Sequence, residues 1–71
     1  MEAAMDAMVG LVSANGGRMT FDDFKAGLSS EDVRVMPRAL RELKAQNRLR
    51  KIIRVVDGRP VHEVYLPESS A

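Results

Sequence analysis

The sequence has no cysteine and no tryptophan, only two phenylalanines, one tyrosine and one histidine, and no long apolar run. Each absence excludes something. Without cysteine there is neither a disulfide framework nor a thiolate-ligated zinc to staple so small a chain, and the redox compartment is left unconstrained. Seventy-one residues make one domain at most, near the size at which a single core only just offsets the entropy of ordering the chain. With aromatics scarce, that core must be built from Leu, Val, Ile, Ala and Met. No stretch approaches the roughly 20 apolar residues of a membrane-spanning helix, and the opening MEAAMDAM is acidic where a secretory signal is basic. The expected location is intracellular: cytoplasmic in a prokaryote or phage setting, with the nucleus left open. No glycine-rich phosphate loop precedes a helix, and His62 has no carboxylate cluster beyond Glu63. Asp22-Asp23 and Glu31-Asp32 fall at expected helix starts, where the helix dipole favours acids without any metal. The chain is therefore read as a non-enzyme with no cofactor and no metal site.

What is present is a sharp segregation of charge. Residues Arg34 to Arg59 hold nine of the eleven Lys and Arg against two acids, Glu42 and Asp57, about +7. The remainder holds two basic residues against eight acids, about −6, so the whole chain is only +1. Whole-chain basicity is the usual footprint of a nucleic-acid binder, and the total argues against one. The local asymmetry argues for one.

Along the chain, Met1, Met5, Met8, Val9 and Val12 recur at helical spacing and define a first helix over Glu2 to Ala14, closed by Asn15-Gly16-Gly17. Arg18 to Thr20 reads as a short strand. Thr20 is an expected N-cap, with Asp23 completing a capping box and Met19 and Phe24 a hydrophobic staple, for a second helix over Phe21 to Gly27. Either Ser29 or Ser30 suits a further cap. Because a proline in a helix interior costs roughly 3 kcal/mol, the expectation is a separate turn over Glu31 to Arg34 and a third helix from Val35 or Met36 to Asn47, with Pro37 in its first turn. That helix has Met36, Ala39, Leu40 and Leu43 on one side and Arg38, Arg41, Arg48 and the projected position of Arg34 on the other, with Asn47 as its left-handed cap. From Leu49 the composition turns β-branched around Asp57-Gly58, giving strands over Leu49 to Val56 and Arg59 to Leu66. A two-residue turn pairs Val55 with Pro60 and Ile53 with His62. A three-residue loop pairs Val55 with Arg59, Ile53 with Val61 and Lys51 with Glu63, and is preferred because it sets opposite charges across the strands. Residues 1–67 are expected as one domain and 68–71 as a frayed tail.

The order helix, short strand, helix, helix, two-stranded hairpin resembles the winged helix-turn-helix superfamily. The residues that carry the likeness are Thr20-Phe21-Asp22-Asp23-Phe24 and the run Arg38-Ala39-Leu40-Arg41-Glu42-Leu43-Lys44-Ala45-Gln46-Asn47-Arg48-Leu49, in which Leu40, Leu43 and Leu49 match the spacing that precedes a wing. The resemblance implies an α+β fold, a small three-helix winged helix-turn-helix domain whose C-terminal β-hairpin is the wing. It further implies a DNA-binding module such as a small transcriptional regulator, with the third helix in the major groove of double-stranded DNA. On that footing Arg38 and Arg41 are candidates for base edges, and Arg18, Arg34, Lys44, Arg48, Arg50, Arg54 and Arg59 for phosphates. The sequence departs from the pattern at Asn47, where Gly is usual, and at Met36-Pro37. The alternative is a winged-helix interaction module docking an acidic protein partner or subunit. A homodimer has no support in the sequence, because the first helix is already committed to the core, and no membrane partner is expected.

Overall fold

The computed structural model describes residues 2–67 as six elements: α1 (Glu2–Ala14), β1 (Arg18–Thr20), α2 (Phe21–Ala26), α3 (Ser30–Ala45), β2 (Arg50–Val56) and β3 (Arg59–Tyr65). The domain is α+β, three helices against a three-stranded antiparallel sheet. Met1 and the expected tail at 68–71 lie outside the described residues.

Local chemistry sets most element ends. At the close of α1, Gly17 N–H donates to Val12 O at 2.9 Å and Gly16 N–H to Ser13 O at 3.1 Å, with Gly16 at φ 82°. These are the two bonds of a Schellman cap, whose left-handed residue is cheapest as glycine. The third helix ends the same way with Asn47 in the left-handed position (φ 56°): Arg48 N–H donates to Leu43 O at 2.8 Å and Asn47 N–H to Lys44 O at 3.0 Å. Thr20 caps α2, its Oγ1 accepting from Asp23 N–H at 3.2 Å, and Ser29 caps α3 by accepting from Asp32 N–H at 3.2 Å.

Two expectations are corrected. The segment from Ser30 to Ala45 is one continuous helix with Pro37 inside it, not a turn followed by a helix starting at Val35 or Met36. The Ser29 cap fixes the first turn, Val33 N–H donating to Ser29 O at 2.9 Å, and Met36, Ala39, Leu40 and Leu43 then form one apolar stripe on the core. Pro37 lies on the exposed side, so the backbone donor it removes is lost where water can serve instead. The capped first turn and the half-buried Val33 join directly onto that stripe, which offsets the local penalty. Pro37→Ala is accordingly expected to stabilise the domain by about 1–3 kcal/mol. Thermal unfolding followed by circular dichroism should show a midpoint higher by ~4–8 °C per kcal/mol, and an unchanged or lower midpoint would count against an unbroken α3.

The hairpin register is the second correction. Val56 pairs with Arg59, Val55 with Pro60, Ile53 with His62 and Ile52 with Glu63, so the turn has two residues and not three. Asp57 (φ 53°) and Gly58 (φ 76°) both adopt positive φ, the type I′ turn whose twist matches the flanking strands. The charges meet diagonally. Glu63 on the central strand is met by Arg54 from β2 at 3.4 Å and by Arg18 from β1 at 3.0 Å. Diagonal neighbours on one sheet face are within reach of long side chains, so the preference for directly opposed charges was unnecessary.

The strand order is β1-β3-β2, with β3 in the middle. Val64 on β3 is fully buried together with Met8 and Val12 of α1, Phe24 of α2, Ala39 and Leu43 of α3, and Leu49 is almost so. Met19, Phe21, Leu28, Met36 and Leu40 close the rim. Leu49 anchors the joint between α3 and β2, which leaves the far half of the hairpin extending past the core.

Candidate nucleic-acid interface

The expected cations fall into two groups once packed. On α3, Arg34, Arg38 and Arg41 are exposed at i, i+4 and i+7, so the unbroken helix lines them up over two turns, about 10 Å, opposite the buried stripe. None of the three makes an ion pair or side-chain hydrogen bond among the described residues. Their charge is fully available to a partner. Glu31 and Asp32 occupy the first turn of the helix, which sets the cationic surface over its middle and C-terminal end.

At that end Lys44 meets the base of the hairpin. Lys44, Arg50 and Lys51 line one shallow depression in the surface, with no acid among them. Arg50 is steadied by a hydrogen bond from its Nη1 to Asn47 Oδ1 at 3.2 Å, so the left-handed cap residue also orients a cation. The Lys51 ammonium lies 4.3 Å from the Phe21 ring centroid, a cation–π contact that holds it beside the depression. Lys51 was not among the expected phosphate ligands. It sits opposite Val64 and so reads by alternation as an inward position, yet at the margin of the core its ammonium reaches the surface.

Three other expected cations are partly committed within the fold. Arg48 Nη2 meets Asp6 Oδ1 at 3.2 Å, tying the exit of α3 to α1. Both Arg18 and Arg54 meet Glu63, whose side chain is only 12% exposed. That trio keeps a net charge of one but presents it on the outer face of the sheet, where Arg18, Glu63, Ile52 and Arg54 stand together. Arg59 is exposed beside the turn and has no ion pair among the described residues. The site that assembles is thus Arg34, Arg38 and Arg41 running into Lys44, Arg50 and Lys51.

No protein-family model matches the chain, and no match was found among curated proteins or solved structures.

Asp23 and Asp32 sit in the first turns of α2 and α3, where the helix dipole favours acids, Glu42 is exposed on α3, and among the described residues no group of three or more His, Asp or Glu stands together in the manner of a metal site. His62 is exposed on β3. No helix among the described residues is long and apolar enough to cross a membrane.

Proposed function

We propose that this domain is a winged helix-turn-helix module that binds double-stranded DNA, with α3 in the major groove and the β2–β3 hairpin as its wing, in the manner of a small transcriptional regulator. The observation that carries the reading is the unpaired row Arg34, Arg38 and Arg41 continuing into the acid-free depression of Lys44, Arg50 and Lys51. A helix face two turns long fits the major groove, and guanidiniums there can each make paired hydrogen bonds to guanine O6 and N7. The depression at the helix end is suited to a phosphate, which fixes position without reading sequence. Arg18 and Arg54 are weaker phosphate ligands in this reading because Glu63 already holds them.

Titration of a mixed-sequence duplex by fluorescence anisotropy over a range of salt tests the proposal. With Arg34, Lys44, Arg50 and Lys51 on phosphates, log affinity should fall with log salt at a slope of about −3 to −4. Absence of salt-dependent binding at low ionic strength would sink it. The near-balanced total charge of +1 favours a second reading, in which the same row docks an acidic protein segment. Binding to such a segment with indifference to duplex DNA would select that reading.

A further inference from the structure

Beyond the helix face, the hairpin has an unfilled edge. With the order β1-β3-β2, one side of β2 pairs with β3 over all seven residues and the other side pairs with nothing among the described residues. Along that strand Ile53, Val55 and Val56 are 62%, 76% and 43% exposed. Natural edge strands are usually short, bulged, covered or marked by charged side chains, because an exposed row of N–H and C=O groups invites another strand. This one is as long as any strand in the sheet, free of bulges in its pairing with β3, and carries four apolar residues against three cations.

We infer that β2 is a self-association edge, on which a second copy of the chain adds its own β2 antiparallel about a two-fold axis through Ile53, joining two three-stranded sheets into one of six strands. The residue pattern is self-complementary in that register. Arg50 stands opposite the partner's Val56, Lys51 opposite the partner's Val55, Ile52 opposite the partner's Arg54, and Ile53 opposite the partner's Ile53. Every cation faces an aliphatic side chain and none faces another cation, and each charged head is already held by a neighbour within its own chain: Arg54 by Glu63, Lys51 over the Phe21 ring and Arg50 by Asn47. Neighbouring symmetric registers lack this property. Moving the axis to Ile52 sets Arg50 against the partner's Arg54, and moving it to Arg54 sets the two Arg54 side chains against each other. Glu63, 3.4 Å from Arg54 on the same face, offsets charge that would otherwise accumulate along the seam. An isologous contact of this kind closes on itself and leaves no further free β2 edge, so it stops at two copies. The seam leaves the α3 row Arg34, Arg38 and Arg41 free and shares Arg50 and Lys51 with the depression of the DNA reading.

Cysteine cross-linking reads the register directly, because the chain has no cysteine of its own. Facing residues of an antiparallel pair have Cα atoms about 4.5–5.5 Å apart, within disulfide range, whereas two copies of position 56 would lie six residues apart along the seam, about 20 Å. Both sites are exposed, so neither variant disturbs the core. Under mild oxidation without DNA, Ile53→Cys should accumulate disulfide-linked dimer and Val56→Cys should stay monomeric. In sedimentation equilibrium the wild type should shift towards dimer with concentration and with added salt, which screens the like charges at the seam, and Ile53→Lys should lose the dimer with its circular dichroism unchanged. Equal cross-linking of the two cysteine variants, or a chain that stays monomeric at every concentration and salt, overturns the inference. So does association only with an acidic segment, weakened by salt, which would assign the edge to a different partner. No DNA is present in these measurements, so their failure and the failure of the DNA reading are separate results.

Discussion

On the proposed DNA reading, replacing Arg38 and Arg41 together by alanine should lower affinity for a preferred site by roughly 30- to 25,000-fold, two paired contacts to bases being worth about 1–3 kcal/mol each. The fold should be unaffected, since both side chains are exposed and make no ion pair among the described residues. The informative comparison is with Lys44→Ala. Loss of a base contact relaxes preference among sequences and leaves the salt slope nearly as it was. Loss of a phosphate contact weakens every sequence alike and lowers the slope by about 0.9. Anisotropy titrations of both variants against preferred and scrambled duplexes separate the two roles. A double variant that binds like the wild type removes α3 from the interface altogether, and a change in slope without a change in preference moves Arg38 and Arg41 to the phosphate backbone.

Phe24→Ala should bring the domain to the edge of unfolding. Phe24 is fully buried in one core cluster with residues of α1, α3 and β3, and its ring stacks near Phe21 with centroids 6.0 Å apart. Truncating a buried phenylalanine costs about 3–5 kcal/mol, and a domain of this size has roughly 4–10 kcal/mol in total. No disulfide stands behind the core to absorb the loss. Guanidinium unfolding should show a midpoint reduced by about a third or more, with an unfolded fraction before denaturant is added if the total lies at the low end of that range. Because Phe21 also carries the Lys51 ammonium on its ring, the same substitution should loosen the depression at the hairpin base. A loss below about 1 kcal/mol would mean that the core described above is not the one that holds the chain together.

What could be read from the sequence was what depends on near neighbours. The bounds of α1 follow from an apolar repeat ended by glycines, and the cap at Thr20 from the acid three positions on, while of the two serines that suited the next cap the structure uses Ser29. Asn47 was identifiable because few residues tolerate a left-handed cap. Pro37 misled because its penalty was taken at full interior value, whereas the proline lies on the exposed side of α3 and the Ser29-capped first turn runs into the helix without a break. The register misled because Asp57-Gly58 suits both turn lengths, and the opposed-charge argument overlooked that arginine spans a diagonal. Within the candidate site, Arg38 and Arg41 were legible from periodicity and Arg34 by projection, whereas Arg48, read on the same face, lies past the end of α3. That Arg18 and Arg48 are engaged was not legible, since their acids lie 45 and 42 residues away in the chain. Lys51 was hidden by strand alternation, which marks direction but not how far the core extends.

The position of β3 has a consequence for how the molecule is made. It is the last of the six elements in chain order and the middle strand of the sheet, holding β2 on one side and β1 on the other. Its pairing with β2 closes a two-residue turn and can form within microseconds. Its pairing with β1 must bring residue 63 back to residue 20 and so waits on the helices between them. During synthesis, therefore, three helices and β1 are finished with nothing for β1 to pair with. The sheet is completed by its keystone and not by its rim, so a ribosome that stops before β3 leaves the chain without its centre.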